Sequence, residues 1–264
     1  MYIHNLNSVL FNFGIFEIRW YSLAYIFGIL LGWWLGRKII NFKVQSDNIK
    51  FNLADFDDLV SYIIISIILG GRLGYVIFYN LSYYLENPLD IIKIWEGGMS
   101  FHGALIGITI STYLFALKRK IKLFFLLDVV CCVVPIGLFL GRIANFINGE
   151  LYGKPSNLFF AVIFPLVDNV PRHPSQLYEA FLEGLVIFLI LNILIFKKNI
   201  KSGVCSGLFL ILYGVFRVFS EQFREPDIQL GYIFNLFSMG TILSFFMLFF
   251  GGIIIFKANN EKFR

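Results

Sequence analysis

At 58% hydrophobic and only 15% charged residues over 264 positions, with a mean hydropathy of +0.76, this chain carries more apolar surface than a water-soluble domain of its length can bury. A net charge of +5 would suit a nucleic-acid binder, but the basic residues sit in turns between apolar runs, where they report membrane topology instead. The expectation is one integral-membrane bundle spanning residues 1–264, with no second domain and no nucleic-acid partner. Cys131, Cys132 and Cys205 all fall within apolar runs and read as small core residues, not as a disulfide framework.

From the N-terminus, the stretch up to Glu17 has no Lys or Arg ahead of the apolar sequence. This argues against a cleaved secretory signal and for an amphipathic arm on the membrane interface. Crossing ~30 Å of hydrocarbon takes about 20 helical residues. Runs of that kind occur at 20–36, 59–79, 99–117, 123–143, 178–196, 203–223 and 233–256, which predicts an all-α polytopic fold of about seven helices. Gly28, Gly32 and Gly36 recur every fourth residue in the first run, a pattern for close helix packing.

The turns on one side hold fourteen basic residues, including Arg37, Lys38, Lys118, Arg119, Lys197, Lys198 and Lys257, against five on the other. The excess of Lys and Arg on the cytoplasmic side then places the N-terminus outside and the C-terminus in the cytoplasm. The longest outer segment, 148–177, is an extracytoplasmic insertion. Its apolar stretch 158–165 is too short to span and reads equally as a strand pair or a re-entrant piece.

Arg72, Arg142 and Arg217 lie inside the apolar runs. A guanidinium cannot shed its proton, and at mid-bilayer it costs at least ~2.5–3.5 kcal/mol, so such residues face a protein-lined cavity and meet an anion there. With the orientation above, all three fall in the outer half of the membrane, as do His102, just after Glu96-Gly97-Gly98, and Tyr21. Tyr213, Arg217, Glu221 and Arg224 follow at spacings of four, four and three along one helix face. Glu221 can neutralise or orient Arg217. Asn145 lies one turn from Arg142, and Glu150 follows where that helix reaches the surface. Gly70, Gly71 and Gly74 around Arg72 allow a backbone or a lipid headgroup to approach closely.

Guanidinium groups bind phosphate through paired hydrogen bonds, strengthened at low dielectric, and an outer-leaflet phospholipid suits this stratum. His4, His102 and His173 are scattered without metal-ligand spacing, and no Gly-x-Ser-x-Gly elbow or phosphate loop is present. His102 is the expected base.

Gly141-Arg-Ile-Ala-Asn-Phe-Ile-Asn-Gly-Glu-Leu-Tyr-Gly153 resembles the signature of the bacterial prolipoprotein diacylglyceryl transferase family. In order along residues 19–230 it is joined by Arg19-Trp-Tyr21, Gly70-Gly-Arg-Leu-Gly-Tyr75, Ser100-Phe-His-Gly-Ala-Leu105, Arg172-His-Pro-Ser-Gln-Leu-Tyr-Glu179 and Tyr213-Gly-x-x-Arg217-x-x-x-Glu221. Ala144 and Ala104 stand where the family usually has Gly. The resemblance implies a bacterial inner-membrane enzyme that moves the diacylglyceryl group of phosphatidylglycerol onto the lipobox cysteine of preprolipoprotein signal peptides, without a cofactor.

On that reading His102, Arg142, Arg217, Tyr21 and Tyr213 are catalytic, and Arg142, Asn145, Arg72, Glu150, Glu221 and Arg224 bind phosphatidylglycerol. An arginine that lowers the thiol pKa, with His102 only positioning the lipid, is the converse assignment. The rivals are a phospholipid transporter or flippase, which predicts polar residues through the full membrane depth and often inverted repeats, and a headgroup hydrolase needing an activated water. The inner halves of the helices read as nearly uniformly apolar.

Overall fold

The computed structural model describes residues 2–14, 17–47, 51–94, 97–225 and 238–260, with Phe101 and His102 described by backbone alone. Among the described residues, six helices are long and apolar enough to cross a membrane. They are α1 (Trp20–Ser46), α2 (Leu53–Tyr79), α5 (Leu123–Asn148), the rod Ser175–Ile195, α8 (Val204–Glu221) and α9 (Met239–Asn259). The expected third span is α4, Phe101–Arg119, whose 19 residues extend about 28 Å at 1.5 Å per residue. The chain is an all-α multi-pass membrane protein. Residues 233–237 of the expected seventh span lie outside the described residues, and its helix is described from Met239.

Helices α1, α2 and α5 outrun their apolar stretches. Helix α1 continues to Ser46, ten residues past the expected end at 36, because hydropathy marks the edge of the hydrocarbon and not the end of backbone hydrogen bonding. Lys38 Nζ sits 3.8 Å over the Trp34 ring there, an interfacial cation–π contact. Helix α2 begins with Asn52, whose side chain accepts from Ala54 N, a regular N-cap.

The chain divides into two compact units, residues 48–127 and residues 1–47 with 128–264. In the first, α2 and α4 meet through glycines. A Cβ on Gly103 would stand 2.2 Å from the Gly70 carbonyl oxygen, so only glycine fits. The partner that Gly70 and Gly74 admit is therefore the α4 backbone. Ser100 caps α4, its Oγ accepting from Gly103 N at 3.2 Å while its own N–H donates to Gly71 O at 2.8 Å. Between the two helices lie α3 (Leu81–Glu86) and a 3-10 turn at Pro88–Ile92.

In the other unit, Gly28 faces Gly137 and Gly32 faces Val133, so the first-span glycines pack against α5. The rod Ser175–Ile195 is three pieces: α6 (Ser175–Glu179), a π-helical stretch (Ala180–Val186) and α7 (Ile187–Ile195). A Cβ on Gly184 would stand 2.7 Å from Phe139 Cα, which brings the π-helical stretch against α5. Helices α8 and α9 touch at Gly207 and Gly251. The N-terminal half of α5 holds a buried carboxylate. Asp128 is 3% exposed and caps α8, accepting from Gly203 N at 2.7 Å and from Ser206 N at 2.7 Å.

The N-terminal arm contains three short strands. β1 (Tyr2–Ile3) runs parallel to β4 (Val162–Ile163), which pairs antiparallel with β5 (Pro171–Arg172). β2 (Val9–Asn12) and β3 (Glu17–Arg19) form a separate hairpin. Within the stretch 158–165, Val162–Ile163 is thus one strand of a pair. Arg172 ties the insertion together, donating to Asp168, to the Gly153 carbonyl at 3.1 Å and to Glu225 at 3.1 Å. Pairing of Gly153 with Arg224 carries the chain after α8 onto the same platform.

Candidate anion site

Arg142 projects from the C-terminal part of α5, one turn beyond the Phe139–Gly184 contact, and meets the rod at its two carboxylates. Arg142 Nε lies 2.8 Å from Glu179 Oε2 and Arg142 Nη2 lies 3.6 Å from Glu183 Oε2. Arg217, from α8, reaches the same pair, with Nη1 3.3 Å from Glu179 Oε2 and 3.8 Å from Glu183 Oε1. Its Nη2 pairs with Glu221 one turn on, as the spacing suggested. Arg224 Nη1 approaches Glu179 Oε1 at 3.4 Å. Three guanidiniums and three carboxylates thus share one enclosed space. Both glutamates of the rod are fully buried, and the Arg142 and Arg217 side chains are 14% and 11% exposed.

Among the described residues, neither oxygen of Glu183 nor Glu179 Oε2 has a hydrogen-bond partner, while Glu179 Oε1 accepts from Arg224 Nη1 and Glu221 Oε1 accepts from Arg217 Nη2. A planar guanidinium carries five N–H donors and can serve a second acceptor beside a carboxylate. Gly240 closes the far side at the start of α9, where a Cβ would stand 2.3 Å from Glu221 Oε1.

Tyr213 is buried on α8, one turn before Arg217, with its ring stacked on Phe209 at 5.9 Å. The Asn145 amide Nδ2 donates to Glu150 Oε2 at 3.4 Å. Asn148 donates to the other oxygen of Glu150 at 3.2 Å. Tyr21, half-buried in the first turn of α1, accepts from the Tyr25 hydroxyl at 3.4 Å.

Arg72 and His102 belong to the other unit. Arg72 was expected among the lipid ligands, but all its donor nitrogens serve backbone carbonyls. Nε donates to Ile91 O at 2.8 Å, Nη1 to Gly97 O at 2.5 Å and Gly98 O at 3.2 Å, and Nη2 to Asp90 O at 2.6 Å and Lys93 O at 3.1 Å. It orders the segment leading into α4. The His102 side chain lies outside the described residues.

Sequence reasoning passed over Glu179 and Glu183. The signal was available: two carboxylates four residues apart in an apolar run require cationic partners as surely as the arginines require anionic ones. The π-helical stretch, a geometry common at functional sites, left no mark in the hydrophobic pattern. Among the described residues no group of His, Cys, Asp and Glu side chains is arranged to hold a metal ion.

Fold and site together define a multi-pass membrane protein with a buried arginine–glutamate cluster among its helices. The family profile described as Prolipoprotein diacylglyceryl transferase matches residues 8–257. A Rickettsia typhi protein named phosphatidylglycerol–prolipoprotein diacylglyceryl transferase is 53% identical over 263 residues, covering 99% of this chain and 100% of its own length. Proteins of the same name from Rickettsia felis and Rickettsia africae are 54% identical over 257 residues, covering 97% of this chain and 98% of their own. The chain belongs to the prolipoprotein diacylglyceryl transferase family.

Proposed function

We propose that this protein transfers the diacylglyceryl group of phosphatidylglycerol to the lipobox cysteine thiol of a preprolipoprotein, in the bacterial inner membrane. The reading adopted is N-terminus outside, C-terminus in the cytoplasm and the site facing the outer leaflet. The observation that carries the chemistry is the Arg142–Arg217 pair gathered around the shared, fully buried carboxylates of Glu179 and Glu183.

In the reaction a sulfur–carbon bond forms and the carbon–oxygen bond to phosphate breaks. The bonding pair goes to the phosphate oxygen, and the thiol proton passes to His102 and onward to the departing glycerol phosphate. A free thiol has a pKa of ~8.5, so a base is needed for it to attack efficiently. Arg142 and Arg217 stabilise the charge that grows on the leaving group, where fixed charges in a water-poor site act most strongly. Tyr21 and Tyr213 orient the lipid or relay a proton. Glu221 and Arg224 hold Arg217 and Glu179 in place, and Asn145 and Glu150 shape the mouth of the site. Arg72 contributes by holding the carbonyls of Asp90, Ile91, Lys93, Gly97 and Gly98 ahead of α4.

Incubating the purified protein with phosphatidylglycerol and a lipobox peptide tests this directly. A thioether-linked diacylglyceryl peptide with release of glycerol phosphate is the expected outcome. Lipid movement between leaflets without thioether formation would overturn it.

A further inference from the structure

Glu179 and Glu183 have no role in the reaction as written above, yet they are the most enclosed charges in the site, both side chains 0% exposed. Burying a carboxylate in a membrane is costly unless cations compensate it, so their placement calls for a reason. Glu179 is a hub. One oxygen lies 2.8 Å from Arg142 and 3.3 Å from Arg217, and the other lies 3.4 Å from Arg224. These cations come from α5, α8 and the segment after α8.

Two guanidiniums that grip one phosphate repel each other when it is absent. A carboxylate between them offsets that repulsion and fixes their separation. It also attracts the same cations as the phosphate does. Glu183, one turn along, reaches the same guanidiniums only at 3.6 and 3.8 Å and exerts the weaker hold.

We propose that Glu179 is a positioning residue for the transfer: it sets the spacing of Arg142 and Arg217 and competes with the lipid phosphodiester for them. The proposal rests on Arg142 and Arg217 being the phosphate ligands. It has a consequence that a purely structural role lacks. Removing the Glu179 charge frees the cations, so the ground-state lipid is held as well or better, while the transition state meets misplaced donors.

In E179Q, KM for phosphatidylglycerol is expected to hold or fall while kcat drops about 100-fold, the scale of a 1 Å misplacement. Free glycerol phosphate should inhibit this variant at lower concentration than it inhibits the parent. E179D, which keeps the charge and shortens the reach, should fall between, and E183Q should lose less turnover than E179Q. Parent-like kcat in E179Q, or a raised KM together with a lowered kcat, overturns the proposal. Should E179Q fail to fold, E179D decides: reduced kcat with a parent-like thermal transition supports the role, and parent-like kcat overturns it. If Arg142→Ala leaves both KM and kcat for phosphatidylglycerol unchanged, the underlying assignment of the phosphate ligands fails instead.

Discussion

Arg142 Nε and Glu179 Oε2 stand 2.8 Å apart across two helices, and the same oxygen lies 3.3 Å from Arg217 Nη1. One carboxylate oxygen shared by two guanidiniums balances charge without occupying every donor of either. Charge compensation and two-point contact with a phosphate are therefore separate demands on Arg142.

That distinction predicts the outcome of Arg142→Lys. Lysine keeps the charge but not the planar fork, so electrostatic compensation of Glu179 survives while two-point contact with phosphate is lost. Turnover of phosphatidylglycerol is expected to fall about 100- to 1,000-fold, the range for removing one preorganised donor, with little change in thermal stability. Steady-state thioether formation and a melting curve in detergent measure the two effects separately.

Arg72 gives the opposite expectation. Its five carbonyl partners lie at Asp90, Ile91, Lys93, Gly97 and Gly98, so Arg72→Ala should loosen that segment before anything else. Faster amide hydrogen exchange across residues 88–98, with KM for phosphatidylglycerol close to the parent value, is the expected result. A large rise in KM with unchanged exchange would mean that Arg72 does contact the lipid.

Packing supplies a third expectation. Gly184 faces the Phe139 backbone with no room for a methyl group, so Gly184→Ala must push the π-helical rod away from α5. Overpacking of this kind costs about 1–3 kcal/mol. The shift also moves Glu179 and Glu183 away from Arg142, so the thermal midpoint and turnover should fall together.

Acidification should act on the outer platform. Burial, with Lys154 nearby, holds the His173 imidazole below its ordinary value, so the folded chain favours the neutral ring, whose Nδ1 is 3.1 Å from the Tyr178 hydroxyl. As pH falls through the unfolded value near ~6.5, the unfolded chain takes up a proton that the folded one resists, and stability is lost. The thermal midpoint should drop between about pH 7 and pH 5.5, and His173→Asn should flatten that dependence.

The helices were legible because hydropathy is averaged over about 20 residues and survives local error. Their ends were not: α1 and α2 extend through polar sequence, where only capping and tertiary support decide the boundary. The arginines announced themselves by their cost in hydrocarbon. Which of them remains open to a ligand depends on the carbonyls around Arg72 and the carboxylates around Arg142, and no spacing rule reaches that far along the chain. The strand pairing at Val162 and Pro171 was ambiguous for a similar reason, since its partner Tyr2–Ile3 comes from the other end of a long separation.

That pairing bears on biogenesis. The first strand leaves the ribosome long before residues 162–163 exist, and several helices must be inserted in between. The outer platform can therefore close only late in synthesis, since distant pairings must wait for the chain that joins them. Until then, Tyr2 and Ile3 lack the strand they pair with.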